Sequence, residues 1–205
     1  MSIEVEMRGP LSEDDHKRLG QFLKEKATLK KEFKRLLIDY SDFLPDSNIR
    51  NRHLDVRARV TDGEPEMIIK LGKWAASENR KEIAAKLNKG EFLNLVESFA
   101  ALGHTKGILC VRHKSVYAIR GIDFDIVEIP NHSFEFEAET IVESEDDVEN
   151  AKKKISGLSA KLGLNFYSDE EWYKRIEQLD KEANMVYDFE KHGTEYLEKN
   201  YKEYI

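Results

Sequence analysis

The sequence predicts an α+β fold: about eight strands in an antiparallel sheet, strongly curved or closed, with helices packed outside it. Two observations predict this. Strand-like segments follow one another as hairpins and do not alternate with helices, which favours antiparallel pairing. Three segments also carry charge on every second residue: Ile3-Glu4-Val5-Glu6-Met7-Arg8, Leu54-Asp55-Val56-Arg57-Ala58-Arg59-Val60 and Phe134-Glu135-Phe136-Glu137-Ala138-Glu139. A strand sends successive side chains to opposite faces, so each segment has one apolar and one charged face. A sheet that curls until those charged faces meet encloses a site able to hold a metal ion and a polyphosphate together.

The elements follow in order. Residues 2–9 read as a strand, broken by Gly9-Pro10. Ser12, followed by Glu13, Asp14 and Asp15, starts a helix with acids at the positive end of its dipole. Leu19, Phe22, Leu23, Phe33, Leu36 and Leu37 recur at three- and four-residue steps, which predicts one long helix to about Asp39 that pads the sheet. Residues 52–62 alternate as a strand, Asp62-Gly63 is a hairpin signal, and Glu66–Lys73 is the return strand. Arg80–Leu87 is a further strand. Gly90–Leu102 is an amphipathic helix with Phe92, Leu95, Val96, Phe99 and Leu102 on its stripe, capped by Gly103. Lys106–Val111 and Val116–Arg120 flank Arg112-His113-Lys114-Ser115 as a second hairpin, which makes Lys114 and His113 turn residues. Ile122–Ile129 and Ser133–Val142 are strands joined by a turn at Pro130-Asn131. Asp146–Leu162 is a helix closed by Gly163, and the last forty residues are helical, divided at His192-Gly193.

The chain has 205 residues, a net charge of −7 and 36% charged residues, enough for one domain with a heavily charged exterior. The acidic balance argues against an unspecific nucleic-acid or anionic-membrane binder. Residues 166–205 hold 11 acids and 6 bases, so an anion site must be a local concentration of Arg and Lys. Cys110 is the only cysteine, which rules out an intramolecular disulfide; it reads as a small buried hydrophobe. No signal peptide and no apolar run of membrane-spanning length is present, so the expectation is a soluble cytoplasmic protein.

Each charged row alone would be a solvated sheet edge. A row of like charges on one strand is costly unless opposite charges face it. Two acidic rows and one basic row supply such partners if the strands share a cavity. Lys70, Arg80, Arg112 and Lys114 extend the basic set; Glu82, Asp123 and Asp125 extend the acidic one.

In this pattern the chain resembles the CYTH domains, or triphosphate tunnel metalloenzymes. Glu4-Val5-Glu6-Met7-Arg8 resembles their ExExK signature, with Arg8 in place of the lysine. Val56-Arg57-Ala58-Arg59, Ile68-Ile69-Lys70, Arg80-Lys81-Glu82, Val111-Arg112, Phe124-Asp125-Ile126-Val127 and Phe134-Glu135-Phe136-Glu137 resemble the family's later strands, in the family's order. Glu139 adds a third carboxylate to the last, so its register has an alternative two residues on. The resemblance covers roughly residues 2–162. It implies an eight-stranded antiparallel β-barrel, a tunnel with flanking helices, over 1–165; the tail over 166–205 lies outside the match and by composition is an acidic helical extension packed on the barrel or at an interface. It also implies hydrolysis of inorganic triphosphate, thiamine triphosphate or a nucleoside triphosphate, or alternatively cyclisation of ATP to cyclic AMP, with Mg2+ or Mn2+ as cofactor.

The residue chemistry fits those expectations. A buried triphosphate needs compensating cations, and arginine forks match phosphate oxygens in pairs. Arg57, Arg59, Lys70, Arg80 and Arg112 are the candidate phosphate binders, with Arg8 as a sixth. Hard divalent cations take oxygen ligands, which makes Glu4, Glu6, Glu135 and Glu137 the candidate metal ligands, with Glu139 as the register alternative. Asp125 and Glu82 are the candidate catalytic carboxylates. Walker loop, HExxH, zinc spacing and nucleophile elbow are all absent. The expected partner is a small-molecule triphosphate, with no membrane or nucleic acid, bound by a monomer or homodimer. A non-catalytic polyphosphate- or nucleotide-binding module is the third reading.

Overall fold

The computed structural model describes residues 3–205; position 2, the expected start of the first strand, lies outside them. The elements are β1 (Ile3–Leu11), α1 (Glu13–Lys26), β2 (Thr28–Asp39), β3 (Leu54–Thr61), β4 (Glu64–Leu71), β5 (Ser77–Lys86), α2 (Phe92–Ala101), β6 (Lys106–Ile119), β7 (Ile122–Ile129), β8 (Ser133–Val142), α3 (Val148–Lys161), α4 (Asp169–Glu182), β9 (Met185–Asp188) and α5 (Phe189–Tyr201). Strand order is β2-β3-β4-β5-β1-β8-β7-β6-β9, and β2 also pairs with β6. That extra pairing closes eight antiparallel strands into a hydrogen-bonded ring, so the α+β, eight-stranded expectation holds. Among the described residues, no helix is long and apolar enough to cross a membrane.

The structure corrects several local expectations. The helix predicted to Asp39 ends at Lys26, and residues 28–39 are β2. Ser12 does cap α1, accepting a hydrogen bond from the Asp15 amide at 3.1 Å. Beyond Ala27, which is extended, the lysine-rich stretch pairs with β3 in the register Leu36↔Val60 and Asp39↔Arg57. Burial of Leu36, Ile38 and Tyr40 on one face outweighs the helical propensity of the sequence. Gly9-Pro10 does not break β1 either. β1 pairs with β5 only as far as Met7↔Ser77, so Pro10 sits where the strand is partnered by β8 alone and its missing N–H is tolerated. Gly9 is required for close approach: a Cβ there would lie 2.1 Å from the Asn165 carbonyl oxygen.

Residues 112–115 are not a turn. β6 is continuous, and Arg112 and Lys114 alternate with His113 and Ser115 across its two faces. Cys110, on the same strand, is half-buried rather than buried. The acidic tail contains the short strand β9, paired with β6 through Gly107↔Tyr187. A kink at Gly193, with φ 60°, divides α5 where His192-Gly193 was read as a boundary.

The chain forms two compact units. One comprises the chain up to Phe33 together with Ala75–Lys81 and Arg112–Arg175; the other comprises Lys34–Trp74, Glu82–Val111 and Ile176–Ile205. In the first, Val5, Leu19, Leu23, Phe124, Phe136, Ala138 and Ile155 form a core between the strands and helices α1 and α3. In the second, Leu36, Ile38, Tyr40, Val60, Phe92 and Val96 pack with Tyr187, Leu197 and Tyr204 of the tail.

Candidate active site

In the first unit, alternation along β1, β7 and β8 separates two faces. Val5, Phe124, Phe136 and Ala138 point to the core, while Glu4, Glu6, Asp125, Glu137 and Glu139 point to the other side. Strand register stacks the charges. Glu6 stands opposite Glu139 and Arg8 opposite Glu137; Asp125 stands opposite Glu137; on the other flank Glu4 faces Arg80 and Glu6 faces Glu78. Carboxylate oxygens of Glu4, Glu6 and Glu139 all lie within 4.8 Å of one another. Burial, then Asp125, Glu6 and Glu4, push the Glu139 carboxyl up to about 9, with Lys114 opposing the shift. Burial is also the largest influence on Asp125, raised to about 6; Lys114 opposes it, and Glu137 and Glu6 add to it. One Asp125 oxygen, Oδ1, is buried without a hydrogen-bond partner.

Cations answer part of this charge. Lys114 Nζ bonds Glu137 and reaches Asp125 Oδ2 at 3.3 Å. The Arg80 guanidinium donates to Glu78 Oε1 at 2.9 Å, and the Arg8 guanidinium to the same oxygen at 3.0 Å. Arg175, midway along α4, donates to Glu135 Oε1 at 2.7 Å and also bonds Ser133 Oγ. Asp123 is paired separately with Lys30 at 2.5 Å. That leaves seven carboxylates (Glu4, Glu6, Glu78, Asp125, Glu135, Glu137, Glu139) against five basic groups (Arg8, Arg80, Arg112, Lys114, Arg175), an excess of negative charge suited to a divalent cation.

The second unit holds a different cluster. Arg57 donates to Asp39 Oδ2 at 3.0 Å and to Asp55 Oδ2 at 2.5 Å. Arg52, buried against the Trp74 ring at 4.9 Å, donates to Asp55 Oδ1 at 2.6 Å and also bonds Asp39. The four groups form a closed ionic square. Beside it, Arg59 donates to Glu66 at 2.9 Å and lies 3.6 Å from Glu82, which pairs with Lys70 at 3.2 Å. Lys70 and Arg59 hold the Glu82 carboxyl below its usual range against the opposing effect of burial.

The structure therefore brings Glu4 and Glu6 together with Glu139. Glu137 is bonded to Lys114, and Glu135 to Arg175. Asp125 lies within the carboxylate cluster, whereas Glu82 lies among cations. Arg80 and Arg112 share the charged face of the first unit; Arg57, Arg59 and Lys70 share that of the second. Sequence reasoning missed Asp39, Arg52, Asp55, Glu78, Trp172 and Arg175 and misplaced Lys114. Glu78 was legible, because it stands two residues before Arg80 on one strand. Trp172 and Arg175 reach the site from a helix, and no local pattern announces that.

Comparison with known proteins follows the same line. A family profile described as the CYTH domain matches residues 2–171. A search of curated proteins finds no match. Among solved structures, the PH1819 protein of Pyrococcus horikoshii OT3 is similar, with a TM-score of 0.66 and 19% identity over 85% of this chain and 99% of that one. A proposed adenylate cyclase of Vibrio parahaemolyticus gives a TM-score of 0.60 at 12% identity, covering 80% of this chain and 90% of its own. A proposed adenylyl cyclase of Hippeastrum, HpAC1, described as having a dominant triphosphatase activity, gives 0.51 at 15% identity, covering 82% and 90%. At these identities the likeness is one of fold.

Proposed function

The chain belongs to the CYTH domain family, and from that premise we propose that it is a metal-dependent hydrolase of a triphosphate. The observation that carries this reading is the cluster of Glu4, Glu6 and Glu139, three carboxylates within 4.8 Å of one another on a face with excess negative charge. The donor set is all oxygen, as hard divalent cations require, and the buried, unpartnered Asp125 Oδ1 adds an unused acceptor. Glu4, Glu6 and Glu139 would hold Mg2+ or Mn2+. The register alternative is thus favoured over Glu135 and Glu137, because Glu139 is the β8 carboxylate grouped with Glu4 and Glu6 within 4.8 Å. A bound divalent ion neutralises phosphate charge and polarises a phosphoryl oxygen.

The chain's own residues have separate tasks. Arg80 and Arg112 would bind phosphate oxygens beside the carboxylate cluster of the first unit; Arg57, Arg59 and Lys70 are the candidate phosphate binders on the charged face of the second. Asp125, raised to about 6, accepts a proton from the attacking water at Oδ1, because a base titrating near working pH combines availability with proton affinity. Lys114 holds the other oxygen, which fixes the orientation of the carboxylate. Glu82, ionised among cations, holds Lys70 and Arg59 in place.

The test is phosphate release from inorganic triphosphate, thiamine triphosphate and ATP, with and without Mg2+ or Mn2+. Metal-dependent release from at least one is expected. Folded protein that turns over none of them overturns the reading. Cyclic AMP and pyrophosphate from ATP would replace it with cyclisation.

A further inference from the structure

We propose that Arg8 is a positioning residue for the carboxylate cluster, clamped by Trp172, and not a ligand of the substrate's phosphates; this rests on Glu4, Glu6 and Glu139 forming a metal site. Arg8 is 5% exposed, and all three of its nitrogens are engaged. Nε donates to Glu6 Oε1 at 3.1 Å, Nη1 to the Ala75 carbonyl at 2.9 Å, and Nη2 to Glu78 Oε1 at 3.0 Å. Nη2 also lies 2.5 Å from Glu6 Oε1. The Trp172 ring covers the guanidinium at 4.7 Å.

These contacts fix what Arg8 can do. Glu6 and Glu78 stand opposite each other on β1 and β5, both buried, and Arg8 is the cation between them. Turning toward a phosphate would break the Arg8 bonds to two buried carboxylates and a backbone carbonyl, which is strongly unfavourable. Arg8 holds Glu6 by its Oε1, and a Glu6 carboxylate oxygen lies within 4.8 Å of oxygens of Glu4 and Glu139. Groups that orient ligating carboxylates set metal affinity without touching the metal.

The clamp has a second half. The start of α4 is tied to the same place: the Tyr167 amide donates to the Arg8 carbonyl at 3.0 Å, and Asp169 accepts from the Ala76 amide at 3.2 Å. Trp172 follows within a turn and lies over the guanidinium plane. A planar fork under an aromatic ring serves two carboxylates and a carbonyl at once, which a lysine ammonium does not. This accounts for arginine at a position where the family resemblance expects lysine.

The test is calorimetric titration of Mn2+ into the full-length wild type, Arg8→Lys, Trp172→Ala and Trp172→Phe, alongside the KM for triphosphate at saturating Mn2+. Arg8→Lys and Trp172→Ala should weaken Mn2+ binding by roughly 10–100-fold. Trp172→Phe, which keeps an aromatic face, should stay within about 3-fold of wild type. KM at saturating metal should change little in any of them. Wild-type Mn2+ affinity in Arg8→Lys together with a raised KM overturns the proposal and makes Arg8 a phosphate ligand. If Arg8→Lys does not fold, unchanged Mn2+ affinity in Trp172→Ala overturns it. A wild-type protein that binds no Mn2+ overturns the metal site and this inference together, an outcome distinct from the other two.

Discussion

Glu6 and Glu139 face each other directly across β1 and β8, two carboxylates in a position where strands normally place opposite charges or apolar groups. Metal-free protein must tolerate that juxtaposition by keeping a proton, and the consequence is a specific pH dependence. Glu139 is raised to about 9 and Asp125 to about 6, both above the values expected in an unfolded chain. Between the unfolded and folded values the native state binds more protons than the unfolded state, so stability falls as pH rises. Thermal unfolding of metal-free protein should show Tm decreasing from about pH 5 to about pH 9. The Tm gain from Mn2+ should grow over the same interval, because the ion displaces the proton. A Tm that rises over that interval without metal would contradict this account.

Glu139→Gln should separate stability from function. The amide is neutral without taking up a proton, so metal-free protein should be more stable than wild type at pH 8. Mn2+ affinity should fall by about 10-fold or more with the loss of one anionic ligand. Tm and calorimetry on the same preparation check both halves.

Asp125→Asn removes the proposed base but keeps the shape. The kcat for triphosphate should drop by about 10²–10⁴-fold with a smaller change in KM. The acidic limb of the wild-type kcat profile, expected near pH 6, should disappear in the variant. A kcat profile unchanged in shape would assign the base elsewhere.

Lys70→Ala and Glu82→Gln distinguish binding from proton transfer on the second charged face. Loss of Lys70 should raise KM about 10-fold or more as a phosphate partner is removed. Glu82, held ionised by Lys70 and Arg59, makes a poor base, so Glu82→Gln should act mainly on KM and leave the pH profile in place.

Gly9→Ala tests a purely steric requirement. The added methyl group meets the Asn165 carbonyl oxygen at 2.1 Å and the Phe136 ring at 2.6 Å, so backbone must move. A loss of about 1–3 kcal/mol in urea unfolding is expected, typical of overpacking.

The charged strand faces were legible in the sequence because strand alternation has a period of two and the charges obey it. Glu4, Glu6, Arg57, Arg59, Asp125 and Glu139 could be placed on faces that way. The β2 segment was not legible: its lysines and leucines also fit a helical stripe, and only pairing with β3 decides between the two. Lys114 was misread for a related reason, since Arg112-His113-Lys114-Ser115 has no apolar residue to mark a strand. The strand is visible only when one face carries charge for the site and the other is half-exposed. Register sets Glu139, not Glu135, opposite Glu6, and no count along a single strand contains that information. Arg52, bonded to the same aspartates as Arg57, and Trp172, over Arg8, come from segments whose own sequence is ordinary.

The square formed by Arg52, Asp39, Arg57 and Asp55 means that Arg57 is a cation already answered in the resting protein. Its direction is set before any anion arrives, and under the proposed function a phosphate reaching it would trade places with an aspartate instead of capturing a loose side chain. Such an exchange would reward a ligand that presents its oxygens at the right spacing over one that merely carries charge.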